Sequence, residues 1–214
     1  IFTFNGNKKK SNNILSDLEM FDVYSHRLQI PNENSIKKLV KFITKKFGRL
    51  DVLINNAGIN MPNDFDKITA KDWDKIMDVN LKGPFIITQK FLDLLKTSKD
   101  GSIINIGSVS GQIGGPRTTH YCVSKAGLIA LTQNTAINLS KFKIRCNCIS
   151  PGFIESEMQK KGAASKQVQE VQKKILLNVL GKGDDIASAV NFLSSDESKY
   201  ITAQTINVSG GIVF

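Results

Sequence analysis

Ser102-Ile103-Ile104-Asn105-Ile106-Gly107-Ser108 is an apolar run closed by a glycine and a serine, and a long periodic segment, Thr118–Leu139, follows it. A short apolar run bounded by turn residues reads as a strand buried on both faces. The segment after it reads as a helix. The same alternation recurs along the chain. Ile1–Phe4, Asp22–Leu28, Val52–Asn55, Ile144–Ile149 and Thr205–Val208 read as strands, and Asn34–Phe47, Gln167–Leu180 and Asp184–Leu193 as helices. In Asn34–Phe47 one face carries Ile36, Leu39, Val40, Ile43 and Phe47, and Gly48 can end the helix. Thr69-Ala70-Lys71-Asp72 has the spacing of a capping box, with Asp in place of Glu, opening a helix that carries Asn80. Strands alternating with helices predict an α/β protein with a doubly wound parallel sheet.

Thirteen residues beyond Ser108 lies Tyr121, and Lys125 is four residues further on. On a helix that spacing places the lysine one turn from the tyrosine and on the same face. A cation beside a phenol favours the phenolate and lowers the tyrosine pKa from its usual value of about 10. Such a tyrosine can exchange a proton with a carbonyl or alcohol oxygen. A serine at the end of the preceding strand can hydrogen-bond the same oxygen. Ser108, Tyr121 and Lys125 together are equipped for carbonyl–alcohol interconversion.

Length and composition limit the alternatives. The 214 residues, 41% of them hydrophobic, suit one domain spanning 1–214. No apolar run reaches the roughly 18 residues of a membrane helix. Three cysteines are an odd number without framework spacing, which fits a reducing compartment such as the cytoplasm. Cys146 and Cys148 share one face of a strand, with no histidine near them in sequence, so they read as core residues and no metal site is expected. The net charge of +10 comes from scattered lysines, with one tight run at Lys8–Lys10. It excludes nucleic acid less firmly than it favours an anionic ligand, such as a phosphorylated cofactor or an acidic carrier protein.

Asn55-Asn56-Ala57-Gly58, Asn80-Leu81, Ile106-Gly107-Ser108, Tyr121 with Lys125, Pro151-Gly152 and the tail Tyr200–Gly211 occur in a fixed order. In order and spacing they resemble the short-chain dehydrogenase/reductase family, across essentially the whole chain. Pro151–Met158 and the tail look most like bacterial-type 3-oxoacyl-[acyl-carrier-protein] reductases. The resemblance implies a Rossmann-like fold and a reductase in which Tyr121 supplies the proton. It implies that Ser108 orients the substrate oxygen, that Lys125 holds the nicotinamide ribose, and that Asn80 extends a proton relay through a kinked helix. Asn55, Ala57 and Gly58 would line the adenosine ribose, with Asn5 at the second strand's end and Gln29 near the adenine. Pro151 and Gly152 would turn beneath the nicotinamide, with Ile154 at its carboxamide and Ser156 at the phosphates. Gly152–Gln172 would form the substrate lid.

Cofactor choice turns on Phe4-Asn5-Gly6-Asn7-Lys8, which lacks the acidic residue that would repel a 2′-phosphate. NADP(H) is therefore favoured over NAD(H). Two substrate classes stay open: a 3-oxoacyl thioester on acyl carrier protein, and a sugar, polyol or other small alcohol. A homotetramer is implied by resemblance, and neither a nucleic acid nor a membrane is an expected partner. His120, where those reductases usually carry asparagine, either faces the substrate pocket or satisfies a loop carbonyl. His26 reads as a strand surface residue.

The family pattern also places a Gly-rich turn after a first strand, and this sequence has none. The first strand–helix unit, roughly 30–40 residues, is thus expected to lie outside 1–214. In this topology that strand is central, so without it two interior strand edges should lie unpaired. An inactive remnant or an interaction subunit of a hetero-oligomer is the alternative.

Overall fold

The computed structural model describes residues 1–155 and 166–213. The strands are β1 (Phe2–Phe4), β2 (Ser25–Arg27), β3 (Val52–Asn55), β4 (Ser102–Ile106), β5 (Arg145–Pro151) and β6 (Thr205–Val208). The helices are α1 (Lys8–Asp17), α2 (Glu33–Lys46), α3 (Ala70–Met77), α4 (Gly83–Lys96), α5 (Ser110–Ile113), α6 (Thr119–Leu139), α7 (Lys166–Gln172) and α8 (Gly183–Ser194). The protein is α/β, every described ladder is parallel, and the fold is Rossmann-like.

The strands form two pieces. β3-β4-β5-β6 is one sheet, and β1-β2 is another. Hydrogen bonds fix which way each edge faces. Phe2 donates to the Tyr24 carbonyl and Leu28 donates to the Phe4 carbonyl, so Phe2 and Phe4 face β2. In a parallel ladder alternate residues bond to opposite neighbours, which turns the Thr3 amide and carbonyl away from β2. Ser102 donates to the Asp51 carbonyl. By the same alternation Asp51, Leu53 and Asn55 face β4, while Val52 and Ile54 face away. Between these edges lies a cleft of about 430 Å³. Among the described residues β1 pairs only with β2, and β3 only with β4.

Helices cover both faces of the sheet. On one side Ile36, Leu39 and Ile43 of α2 meet Ile87 and Phe91 of α4, with Ala136 and Leu139 of α6. Burying each large aliphatic side chain contributes about 1.5–3 kcal/mol, so this face dominates the packing. On the other side Leu193 of α8 meets Ile104 and Ile149 of the sheet. α2 ends where Gly48 takes a φ of +70° and donates to the Ile43 and Thr44 carbonyls.

Several elements differ from the sequence reading, two helices most plainly. α1 is unanticipated, because Lys8-Lys9-Lys10-Ser11-Asn12-Asn13 shows no apolar period. It starts where the Asn7 side chain accepts from the Lys10 amide at 2.8 Å, a cap that replaces periodicity as the local signal. The helix expected over Gln167–Leu180 stops at Gln172. Beyond it Ile175 is drawn into the core while Leu177 donates to the Gly210 carbonyl.

Candidate active site

The capping box at Thr69 is complete: Asp72 donates its amide to the Thr69 hydroxyl, and Thr69 donates its amide to the Asp72 carboxylate. From that start α3 runs into a π-helical turn, Asp78–Lys82, before continuing as α4. The extra residue in a π turn rotates one side chain off the helix period. Here that side chain is Asn80, fully buried. Its Oδ1 accepts from the Ile59 amide at 2.9 Å, and its Nδ2 donates to the Ile59 carbonyl and the Ser124 hydroxyl. Asn80 thus fastens the loop after β3 to α6.

α6 presents Tyr121 and Lys125 toward the C-terminal end of β4. The Ser108 side chain lies close enough to Tyr121 to act on its pKa. Ser108 Oγ also accepts from the Ser110 amide at 3.2 Å, which holds its rotamer at the start of α5. The Lys125 Nζ donates to the Ile106 carbonyl at 2.6 Å and stands 5.7 Å from the Tyr121 ring centroid. A methyl group placed on Gly58 would lie 3.5 Å from both Asn80 Oδ1 and Lys125 Nζ. The structure therefore brings Ser108, Tyr121, Lys125, Asn80 and Gly58 into one cluster.

The electrostatics depart from the sequence reading. Burial raises the Tyr121 pKa above its usual value, and the nearby Ser108 side chain only partly offsets this. Lys125 does not depress it. The lysine is itself desolvated and lowered to about 8, and its ammonium points at a backbone carbonyl rather than at the phenol oxygen. Helical spacing predicts a shared face, but the strand beside the helix decides where a long side chain ends.

A second cleft, of about 690 Å³, opens beside this cluster and is lined by Asn5, Ala57 and Gly58 with Lys71 and Lys75. Leu28, Ile30 and Pro31 line it in place of Gln29, whose amide donates to the Ser35 hydroxyl. Asn55 is buried and donates to Asn105 Oδ1 at 2.8 Å, so it braces β3 against β4. Gly152 lies so close to the chain that a methyl group there would meet the Ser209 Cα at 2.8 Å, and its amide donates to the Val208 carbonyl. Phe153 and Glu155 both bond to Gly181, which leaves the Ile154 amide and carbonyl turned to the opposite side. Ser156 and the middle of the expected lid, 156–165, lie outside the described residues.

Sequence reading missed two groups. Arg27, paired with Phe4 across β1 and β2, donates through Nε to the Asn5 carbonyl and adds a guanidinium beside the second cleft. Asn105 links Asn55 to Thr132 through its amide at 2.9 Å. Its signal was a lone polar residue inside an apolar strand. His120 is buried, and its Nδ1 accepts from the Tyr121 amide at 3.0 Å. It therefore satisfies a helix-start donor that the Thr118 cap leaves without a side-chain partner.

The cleft and the cluster fit the two ends of a dinucleotide. Amide and basic groups line the first, and two hydroxyls with a buried amine form the second. Among the described residues no group of His, Cys, Asp and Glu could hold a metal, and no helix is long and apolar enough to cross a membrane.

The family described as Enoyl-(Acyl carrier protein) reductase matches residues 2–213. The chain is 40% identical over 186 residues to 3-oxoacyl-[acyl-carrier-protein] reductase FabG of Thermotoga maritima, covering 87% of this chain and 75% of that protein. It is 38% identical over 210 residues to the protein of the same name from Staphylococcus aureus, covering 97% and 85%. It is 38% identical over 183 residues to Nodulation protein G of Rhizobium meliloti, covering 86% and 74%.

Proposed function

Because this chain belongs to the short-chain dehydrogenase/reductase family and is an oxidoreductase, we propose that it reduces a 3-oxoacyl thioester carried by acyl carrier protein, using NADP(H). The placing of Ser108 beside Tyr121, close enough to lower the tyrosine pKa, carries the reading. Two hydroxyls placed side by side can meet at one substrate oxygen. That suits a reaction delivering a proton to oxygen, as reduction of a ketone requires. The name 3-oxoacyl-[acyl-carrier-protein] reductase borne by the relatives supports the same substrate.

The roles follow from the geometry. Ser108 donates to the substrate oxygen and orients it, and Tyr121 gives that oxygen its proton. Burial keeps Tyr121 protonated, so it acts as the acid in the reducing direction. Lys125 holds the nicotinamide ribose hydroxyls through its ammonium, and Asn80 fixes the loop that carries Gly58 and Ile59. The Ile154 backbone meets the carboxamide, and Pro151 and Gly152 set its height. Ala57 and Asn55 support the adenosine end. Asn5, Arg27, Lys71 and Lys75, with no carboxylate at the end of β1, favour the 2′-phosphate of NADP(H). When bound, the nicotinamide supplies the hydride.

On the same reading the protein works in the cytoplasm as a homo-oligomer. Phe85 on α4 and Ile137 on α6, both exposed, support that assembly. A non-catalytic interaction subunit is the second reading.

Acetoacetyl-coenzyme A is the test substrate, with oxidation of NADPH followed at 340 nm. Tyr121→Phe should lower kcat by about 10²–10⁴-fold, the usual weight of a general acid, while NADPH binding stays within a factor of two or so. Near-normal turnover in Tyr121→Phe overturns the proton assignment. Faster reduction of crotonyl-coenzyme A transfers the substrate to an enoyl thioester. Failure to bind NADPH supports the second reading.

A further inference from the structure

We propose that Gln112 is a positioning residue for the reaction. Its side-chain amide ties α5 to the ends of β5 and β6, and so fixes the spacing between the Ser108–Tyr121 pair and the Pro151–Gly152 turn. Its role rests on the reductase activity proposed above.

α5 is a single turn, Ser110–Ile113, that starts two residues after Ser108. An isolated helix of one turn is not stable on its own. Apolar burial does not hold this one, since Ile113 is 63% exposed. Contacts on two sides do. On one side Gly111 lies against α6: a methyl group there would meet the Lys125 carbonyl carbon at 2.7 Å and the Ala126 amide nitrogen at 2.8 Å. On the other side Gln112 donates through Nε2 to Ser150 Oγ at 2.8 Å and to Asn207 Oδ1 at 2.6 Å. Ser150 and Asn207 are register partners in the β5–β6 ladder, so one amide group bridges both strands. The next residue after Ser150 is Pro151, whose carbonyl accepts from the Val109 amide at 3.0 Å. That bond holds the near end of the segment, and Gln112 holds the far end.

α5 is thereby a spacer, with the helix of Tyr121 and Lys125 on one side and the turn assigned to the nicotinamide on the other. The Ser150 hydroxyl is fully buried. A buried hydroxyl that loses its partner is unfavourable, so removing the Gln112 amide unsettles the strand end that leads into the turn. Hydride transfer is sensitive to such a change, because a misplacement of about 1 Å can cost roughly 10²-fold in rate. Gln112 itself reaches neither substrate nor cofactor in this arrangement; it acts through α5 and the turn.

Gln112→Met keeps the length of the side chain and removes both bonds. In the chain without nucleotide, amide exchange at Gly111 and Gly152 should then accelerate by about fivefold or more, with Ile104 unchanged. With acetoacetyl-coenzyme A and NADPH, kcat should fall about tenfold while KM for the thioester stays within about twofold. The primary isotope effect from NADPH deuterated at the transferred position should rise. Asn207→Val removes one of the two bonds from the strand side, and adding it to Gln112→Met should lower kcat by no more than about twofold further. Unchanged exchange at Gly152 in Gln112→Met overturns the tie. Faster exchange with a wild-type kcat and isotope effect overturns its role in the reaction, as do fully multiplicative losses in the double variant. A wild-type chain that leaves acetoacetyl-coenzyme A unreduced refutes the reductase activity instead, and the exchange comparison still decides the tie.

Discussion

Lys125 is the residue on which the site's charge depends. Only 4% exposed, it carries a pKa lowered to about 8 by burial, against 10.5 in the unfolded chain. Below pH 8 the ammonium is charged in both states, and folding bears the whole cost of desolvating it. Between about pH 8 and 10.5 the unfolded chain binds more protons than the folded one, so this cost falls as pH rises. The gap is worth roughly 3 kcal/mol, offset in part by the hydrogen bond to the Ile106 carbonyl. Lys125→Met should therefore stabilise the chain by about 1–2 kcal/mol at pH 7, with the gain shrinking by pH 10. Urea unfolding at the two values measures it, and a gain that grows with pH contradicts the assignment. At this scale the sequence was legible for residue identity and silent on direction. Tyr121 and Lys125 could be placed on one face from spacing alone. The bond to Ile106, which turns the ammonium from the phenol, depends on a strand nineteen residues away.

Among the elements, the π turn of Asp78–Lys82 carries the most consequence. It sends Asn80 into a fully buried position where three hydrogen bonds hold it. Asn80→Ala would strand the Ile59 amide and carbonyl and leave a cavity. The expected loss is about 2–4 kcal/mol, measured by urea unfolding, with faster amide exchange at Ile59. A loss under about 0.5 kcal/mol would mean that the loop is held by something else. Strands and long helices were legible because their apolar periods are strong: β3, β4 and β6 match their expected spans to the residue. The π turn has no period of its own, and α1 is polar throughout. α7 ends early because a contact with the tail, not a local stop signal, governs Leu177.

In the whole molecule the break between the two sheets divides stability. β4 and β5 lie inside a ladder bonded on both sides, whereas β1 and β2 hold one another by a three-residue register. Opening that pair exposes less than opening the central sheet, so its amides should exchange through a lower-energy route. Native-state exchange should show Phe2 and Leu28 exchanging at least tenfold faster than Ile104 and Cys148; equal rates would indicate a single cooperative unit. The expectation of two unpaired edges came from family order rather than from any residue pattern. A sequence read alone does not record which strand lies between which others. The contact of Gly152 with Ser209 has a different reach. Because the backbone at Gly152 rests directly on the chain just after β6, a shift of one presses on the other. The tail is then a lever on the site: a side chain added at Gly152, or a displacement of β6, would change the height of the pocket floor without touching any reacting group.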